Sequence, residues 1–170
     1  MWSSPHLDRT GRLTWGMSSI NKDGGRMKAQ DAKDIFESGL ECSQAVFTAF
    51  SGSYGIDRNS SLKLSLGLHA GMCEAGVCGA VSAAVLVIGL KYGHTNAKDQ
   101  TIKNTCIAKV REFLSVFRER NEGRILCRDI LDCDIFTPEG LRKATDEELF
   151  TIVCTDMVVK AATILEEQGY

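Results

Sequence analysis

Proline, long apolar runs and charge of one sign are all scarce in this chain. With two prolines among 170 residues, 44% apolar and 25% charged, it suits one ordinary globular domain with a core of its own, needing no disulfide staples. Twenty basic residues face 22 acidic ones, for a formal net charge of −2, and no block of like charge stands out, which argues against a nucleic-acid partner. The most apolar stretch, Val77 to Leu90, is 14 residues long, short of the roughly 18 to 20 of a membrane span, and predicts a buried helix. A charged start, an apolar stretch and a small-residue cleavage site are missing from the N-terminus. That predicts a reducing, cytoplasmic location in which permanent disulfides are not expected.

Familiar metal and thiol motifs are missing as well. Without Cys-x-x-Cys there is neither a thioredoxin-like exchange pair nor a zinc knuckle, and without Cys-x-x-Cys-His there is no c-type haem attachment. The ferredoxin cysteine run is absent too. No nucleophile and base pair, paired carboxylates or phosphate loop emerges at recognisable spacing, so catalysis on a small substrate has little support.

Cysteine, by contrast, is plentiful: seven residues. Four of them, Cys42, Cys78, Cys127 and Cys154, fall on the apolar stripes of four different predicted helices. They are separated by 35, 48 and 26 intervening residues, so any centre they share has to be assembled by folding. Four thiolates from separate helices suffice for a [2Fe–2S] or [4Fe–4S] cluster, because the sulfurs need only converge in space. Zinc ranks below iron–sulfur, since its sites usually announce themselves by short ligand spacings. Taken one at a time, Cys42, Cys127 and Cys154 read equally as buried core thiols. Cys78 sits near the start of its helix, where the dipole and free N–H groups favour thiolate, and is the first candidate for a reactive or ligating sulfur. Cys106 reads as a small core hydrophobe. Cys73 can share a site with Cys78 only if it precedes the helix, which nearby glycines permit, and Cys133 lies beyond a short helix. His6, His69 and His94 receive no role.

Residues 1–27 show neither a helical nor a strand period and read as a flexible arm. Its charge is +2, from Arg9, Arg12, Lys22 and Arg26 against Asp8 and Asp23, which leaves −4 on residues 28–170. Met17 or Met27 would serve as a natural start, which would leave the arm partly outside the natural protein, and it is expected to have no part in function. From there on, apolar residues recur three and four apart, predicting a single all-α domain over 28–170: a compact bundle of about five to seven helices around the apolar one. Helices are expected over Ala29–Ser38 and Glu41–Phe50, then a short one capped by Ser60 or Ser61, then the central one. A long helix from Ala97 to Arg120 capped by Asn96 follows. Short helices lie near Ile125–Leu131 and after Thr137-Pro138, and Thr145 with Glu148 forms a capping box for the last helix.

The segments Cys42-Ser43-Gln44-Ala45-Val46, Gly71-Met72, Val77-Cys78-Gly79-Ala80 and Cys127-Arg128-Asp129-Ile130-Leu131, followed by Cys154, carry a resemblance. The chain resembles the C_GCAxxG_C_C family of redox-active proteins from about Met27 to Glu167. The resemblance implies a small all-α protein whose family cysteines, here Cys42, Cys78, Cys127 and Cys154, form a redox or metal site, similar to the iron–sulfur domain of split-Soret cytochrome c. Two positions depart from the family pattern. Ala83 stands where the motif has glycine and adds a methyl in a close contact. Cys73 stands where glycine is expected, and would be an added ligand or resolving thiol.

Three functions follow as expectations. The first is an iron–sulfur or related metal protein that transfers or senses electrons through the four cysteines, with a redox partner the sequence does not identify. The second is a metal-free thiol/disulfide protein or sensor with Cys78 attacking and Cys73 or another cysteine resolving. The third is a structural helical interaction module whose cysteines are core residues. A homodimer is compatible with all three.

Overall fold

The computed structural model describes residues 6–7, 13–14 and 27–170. Its helices are α1 (Lys28–Glu37), α2 (Cys42–Ser51), α3 (Arg58–Leu66), α4 (Gly79–Tyr92), α5 (Gln100–Glu119), α6 (Cys127–Leu131), α7 (Pro138–Asp146) and α8 (Thr155–Glu167). The domain is therefore all-α, with eight helices among the described residues rather than five to seven. Each of the eight lies at a segment that the sequence marks as helical, and the number exceeds the expected bundle because short pieces such as α6 (Cys127–Leu131) form separate helices. A two-residue antiparallel ladder joins His6–Leu7 to Leu13–Thr14. Otherwise, the arm expected over residues 1–27 lies outside the described residues, Met27 excepted.

Helix α4 is the centre of the bundle and packs against α2, α5 and α8. Ala80, Val81, Ala83, Ala84, Val87 and Ile88 are all fully buried or nearly so. A helix that is apolar on most sides is stable in water only when surrounded. Ala45, Val46 and Ala49 of α2 join the same core, and small residues on facing helices let the backbones come close. Ala83, the departure from the family pattern, is buried without interrupting α4. Phe113 and Phe117 of α5 close the core from another side with ring centroids 6.1 Å apart. The α1 helix lies across α2 and α8, and its orphan N-terminal amides are satisfied by a carboxylate: Lys28 N donates to Glu166 Oε1 at 2.6 Å.

The contact of α3 with α2 is made by polar groups. Ser43 Oγ donates to the carbonyl of Ser65 at 2.8 Å, and Gln44 Nε2 to that of Leu62 at 2.9 Å. The Ser51 and Ser61 hydroxyls meet at 2.6 Å. Small hydroxyls allow a closer approach than leucines would, so Leu64 and Leu66 of α3 face outward.

Three expected caps are displaced. Asp57 caps α3 by accepting from Ser60 N at 3.0 Å, in place of Ser60 or Ser61. Asp99 caps α5 by accepting from Ile102 N at 3.0 Å, while Asn96 instead accepts from Lys98 N in the preceding turn. A charged acceptor binds a free N-terminal amide more strongly than an amide or hydroxyl oxygen does, and the aspartate position sets the first turn. At the last helix, Thr145 lies inside α7, its hydroxyl donating back to the Leu141 carbonyl at 2.8 Å. It is therefore unavailable as a cap. Glu148 has a left-handed φ of 53°, and the chain re-enters helix through a wide turn, Phe150–Cys154, that leads into α8. The Thr137 cap on Gly140 N, with Pro138 in the first turn, is as the sequence predicts. Among the described residues, no helix is long and apolar enough to cross a membrane.

Candidate functional site

Three of the four motif cysteines stand at helix starts rather than along helix stripes. Cys42 is the first residue of α2, Cys78 caps α4 and Cys127 is the first residue of α6. Cys154 closes the wide turn before α8. All four line one cavity of about 590 Å³ whose other walls are mainly apolar, including Phe36, Leu131, Phe150 and Met157.

Backbone pairing brings Cys78 and Cys127 to this cavity. Val77 and Leu126 form an isolated antiparallel bridge. Within it Cys78 N donates to the Ile125 carbonyl at 2.8 Å, and Cys127 N to the Gly76 carbonyl at 2.6 Å. Sequence distance between the two cysteines is thus cancelled by a two-stranded contact no longer than a few residues. Upstream, Ala70, Gly71, Met72 and Cys73 all have left-handed φ, 50°, 67°, 58° and 58°, which coils the chain tightly before Gly76. A Cβ on Gly71 would overlap the backbone of Gly76, so this turn needs glycine there. Arg128 of α6 clamps it, with Nε donating to the Ala75 carbonyl at 3.1 Å.

Gly79, the glycine that follows Cys78, has a specific reason to lack a side chain. A Cβ at that position would lie 2.7 Å from Cys42 Sγ and 2.9 Å from the Leu68 carbonyl oxygen. It is this absence that lets the sulfur of Cys42 reach the start of α4. Gly79→Ala is therefore expected to destabilise the metal-free protein by about 1–3 kcal/mol, the usual cost of overpacking, and to displace Cys42. Denaturant midpoints of the two proteins would check this, and an unchanged midpoint would show that Cys42 is not seated against Gly79.

The electrostatics of the four thiols are set by burial. Cys78 is pushed up to about 12, first by burial and then by the neighbouring Cys42 thiol, although the Ala80 and Val81 amides pull the other way. Cys127 is pushed up to about 11 by burial, then by Cys42, Cys133 and Asp134, with Arg128 opposing. Burial raises Cys42 against hydrogen bonds from the amides of Ala70, Ser43 and Ala80. It also raises Cys154, helped by all three partners. The helix start at Cys78 acts in the direction the sequence predicts, toward thiolate, but desolvation is larger. In the absence of a cation these thiols are protonated at neutral pH.

Among the described residues, no three His, Cys, Asp or Glu side chains are gathered closely enough for a single metal ion. One tetrahedral ion with sulfur ligands at about 2.3 Å requires sulfurs about 3.8 Å from one another. The donor set is nonetheless all thiol, which suits soft metals and clusters, and the cavity has room for a group larger than one ion.

The remaining sequence candidates are dispersed. Cys73 is exposed and does not line the cavity. Cys106 is half-buried against the core on α5, in keeping with a packing role. Cys133 is half-buried, near enough to Cys127 to raise it. His94 is exposed in the loop after α4, and the side chain of His6 lies outside the described residues. His69, given no role from sequence, does line the cavity together with Glu41, and its Nδ1 lies 3.3 Å from Glu41 Oε2. The available signal was Glu41 directly before a motif cysteine. Arg128 was likewise overlooked, although it directly follows Cys127.

Comparison with known proteins identifies a family. The family model described as "Putative redox-active protein (C_GCAxxG_C_C)" matches residues 40–168. No curated protein and no solved structure matches the chain. The matched span runs from α2 through α8 and contains all four cavity-lining cysteines, and the chain belongs to the C_GCAxxG_C_C family.

Proposed function

We propose that the protein is redox-active through an iron–sulfur cluster held in this cavity by Cys42, Cys78, Cys127 and Cys154. The observation that carries the proposal is that four cysteines from four separate elements line one apolar-walled space. An all-thiol donor set suits soft metals and clusters, and the cavity has room for a group larger than one ion. Such a group, when bound, supplies one-electron transfer at a potential tuned by the protein around it.

The chain's own residues have definable tasks in this reading. The four sulfurs give up their protons to become ligands, which their raised affinity for protons opposes until a cation compensates. Amides of Ala70 and Ala80 donate toward Cys42, and those of Ala80 and Val81 toward Cys78, so both sulfurs gain hydrogen bonds that stabilise negative charge. The N-termini of α2 and α4 add the positive ends of two helix dipoles. Phe36, Phe150 and Met157 exclude water, which raises the cost of any unscreened charge change.

The test is an anaerobic ultraviolet-visible spectrum with iron, acid-labile sulfide and zinc quantified on the same sample. Sulfur-to-iron charge-transfer bands with matching iron and sulfide are expected. Colourless, metal-free protein with every cysteine intact would overturn the cluster and favour a thiol/disulfide centre, which should then form one defined disulfide reversibly.

A further inference from the structure

A second group of reactive side chains runs from the cavity wall, where Glu41 and His69 stand, out to Cys73 on the left-handed turn. Cys73 Sγ lies 3.4 Å from His69 Nε2, and the other ring nitrogen, Nδ1, lies 3.3 Å from Glu41 Oε2. A left-handed coil of residues 70–73 returns the chain over itself, so residue 73 comes back beside residue 69. Glu41 is positioned independently, as the N-cap of α2, by a reciprocal capping box with Gln44. Three side chains thus stand in line as carboxylate, imidazole and thiol. A carboxylate on Nδ1 favours the tautomer with its proton there, which leaves the Nε2 lone pair directed at the thiol. Nucleophile, base and orienting group within contact of one another form the arrangement that activates cysteine. Cys73 is exposed and outside the cavity lining, and His69 is partly exposed at the cavity wall, so reagents in solution reach the thiol without entering the cavity.

We propose that Cys73 is a nucleophilic thiol, with His69 as its base and Glu41 as the positioning carboxylate, that exchanges with low-molecular-weight disulfides. The proton of Cys73 passes to His69 Nε2. The thiolate attacks one sulfur of the disulfide, forming a new S–S bond as the old one breaks. The departing thiolate takes the proton back from His69 and leaves as a thiol. The product is a mixed disulfide at Cys73; the external disulfide is the only co-reactant, and no net electrons are gained or lost. The inference does not depend on the cluster, because none of its steps uses a cavity cysteine.

The experiment follows the reaction of the full-length protein with hydroxyethyl disulfide, an uncharged probe, under anaerobic conditions at pH 7 by mass spectrometry and peptide mapping. Cys73 is expected to be modified first and faster than N-acetylcysteine under the same conditions. His69→Ala should slow it by roughly tenfold to thirtyfold, a modest share of what an adjacent general base supplies to a nucleophile. Added imidazole should restore part of the rate, which a merely structural loss would not allow. Glu41→Gln keeps an oxygen for the helix cap but removes the charge, and should slow the reaction less, with α-helical circular dichroism unchanged. If His69→Ala does not fold, His69→Gln is measured in its place. Equal rates with and without His69, or first modification at another cysteine, would overturn the proposal. Cys73→Ser should abolish the fast reaction and leave iron and sulfide content as in the parent; a loss of iron would place Cys73 in the cluster site and overturn it instead.

Discussion

Cys78→Ser is expected to leave the protein with iron and acid-labile sulfide at background levels, with the charge-transfer bands gone. Cys78 is buried at the start of the central helix. It lines the same cavity as Cys42, Cys127 and Cys154, so it stands among all three partners. Serine keeps the shape but replaces a soft, ionisable sulfur by a hard hydroxyl, which loses the ligand. A four-thiolate cluster with one ligand missing is open to water and oxidation. The control is Cys106→Ser on α5, whose sulfur packs against the core away from the cavity lining and whose replacement should leave metal content unchanged. Full iron in Cys78→Ser, or equal loss in both variants, would sink the assignment. The first outcome would remove Cys78 from the ligand set; the second would mean that iron is lost through general destabilisation.

Metal-free protein, kept reduced, is expected to lose stability steeply as pH rises from about 9 toward about 12. Unfolded thiols ionise near the ordinary value of 9.0, whereas burial holds Cys78 protonated to about 12 and Cys127 to about 11. Between these values the unfolded state binds fewer protons than the folded one, so stability falls with pH; below 9 both states are protonated and the contribution is complete. Each such thiol steepens the fall by roughly 1.4 kcal/mol per pH unit, and together they remove a few kcal/mol. Denaturant unfolding at pH 8 and pH 10.5 measures it, and Cys78→Ala should show the shallower fall. Identical slopes in parent and variant would assign the alkaline loss to other groups, Tyr170 foremost, which burial also raises.

Much of this architecture could be read in one dimension, because helix periodicity is local. Val77 to Leu90 is apolar nearly throughout, and such a segment has to be surrounded; it became α4. Thr137-Pro138 marks a helix start by side-chain and backbone chemistry within four residues. Where two local signals competed, sequence was a weaker guide. Asn96 and Asp99 both suit an N-cap, as do Ser60 and Asp57, and the aspartate prevailed each time. Thr145 and Glu148 have capping-box spacing, but α7 continues through Thr145 and consumes its hydroxyl. The serine-lined contact of α3 escaped pattern reading because hydroxyls at close-packed positions are indistinguishable by hydropathy from exposed ones.

By itself, then, the amino-acid order determined an all-α domain, its central helix and the four cysteines that mark its family, since these depend on residue type and local period. Only the tertiary structure decided that three of those cysteines start helices, that all four line one cavity, and that Glu41, His69 and Cys73 stand in line beside it. The reason is physical. Pairing of Val77 with Leu126, the missing Cβ at Gly79 and four successive left-handed residues are long-range or steric events that no local pattern encodes. Burial then reversed the charge preference that a helix start alone would have given Cys78, because desolvation of a thiolate outweighs a helix dipole and two amides.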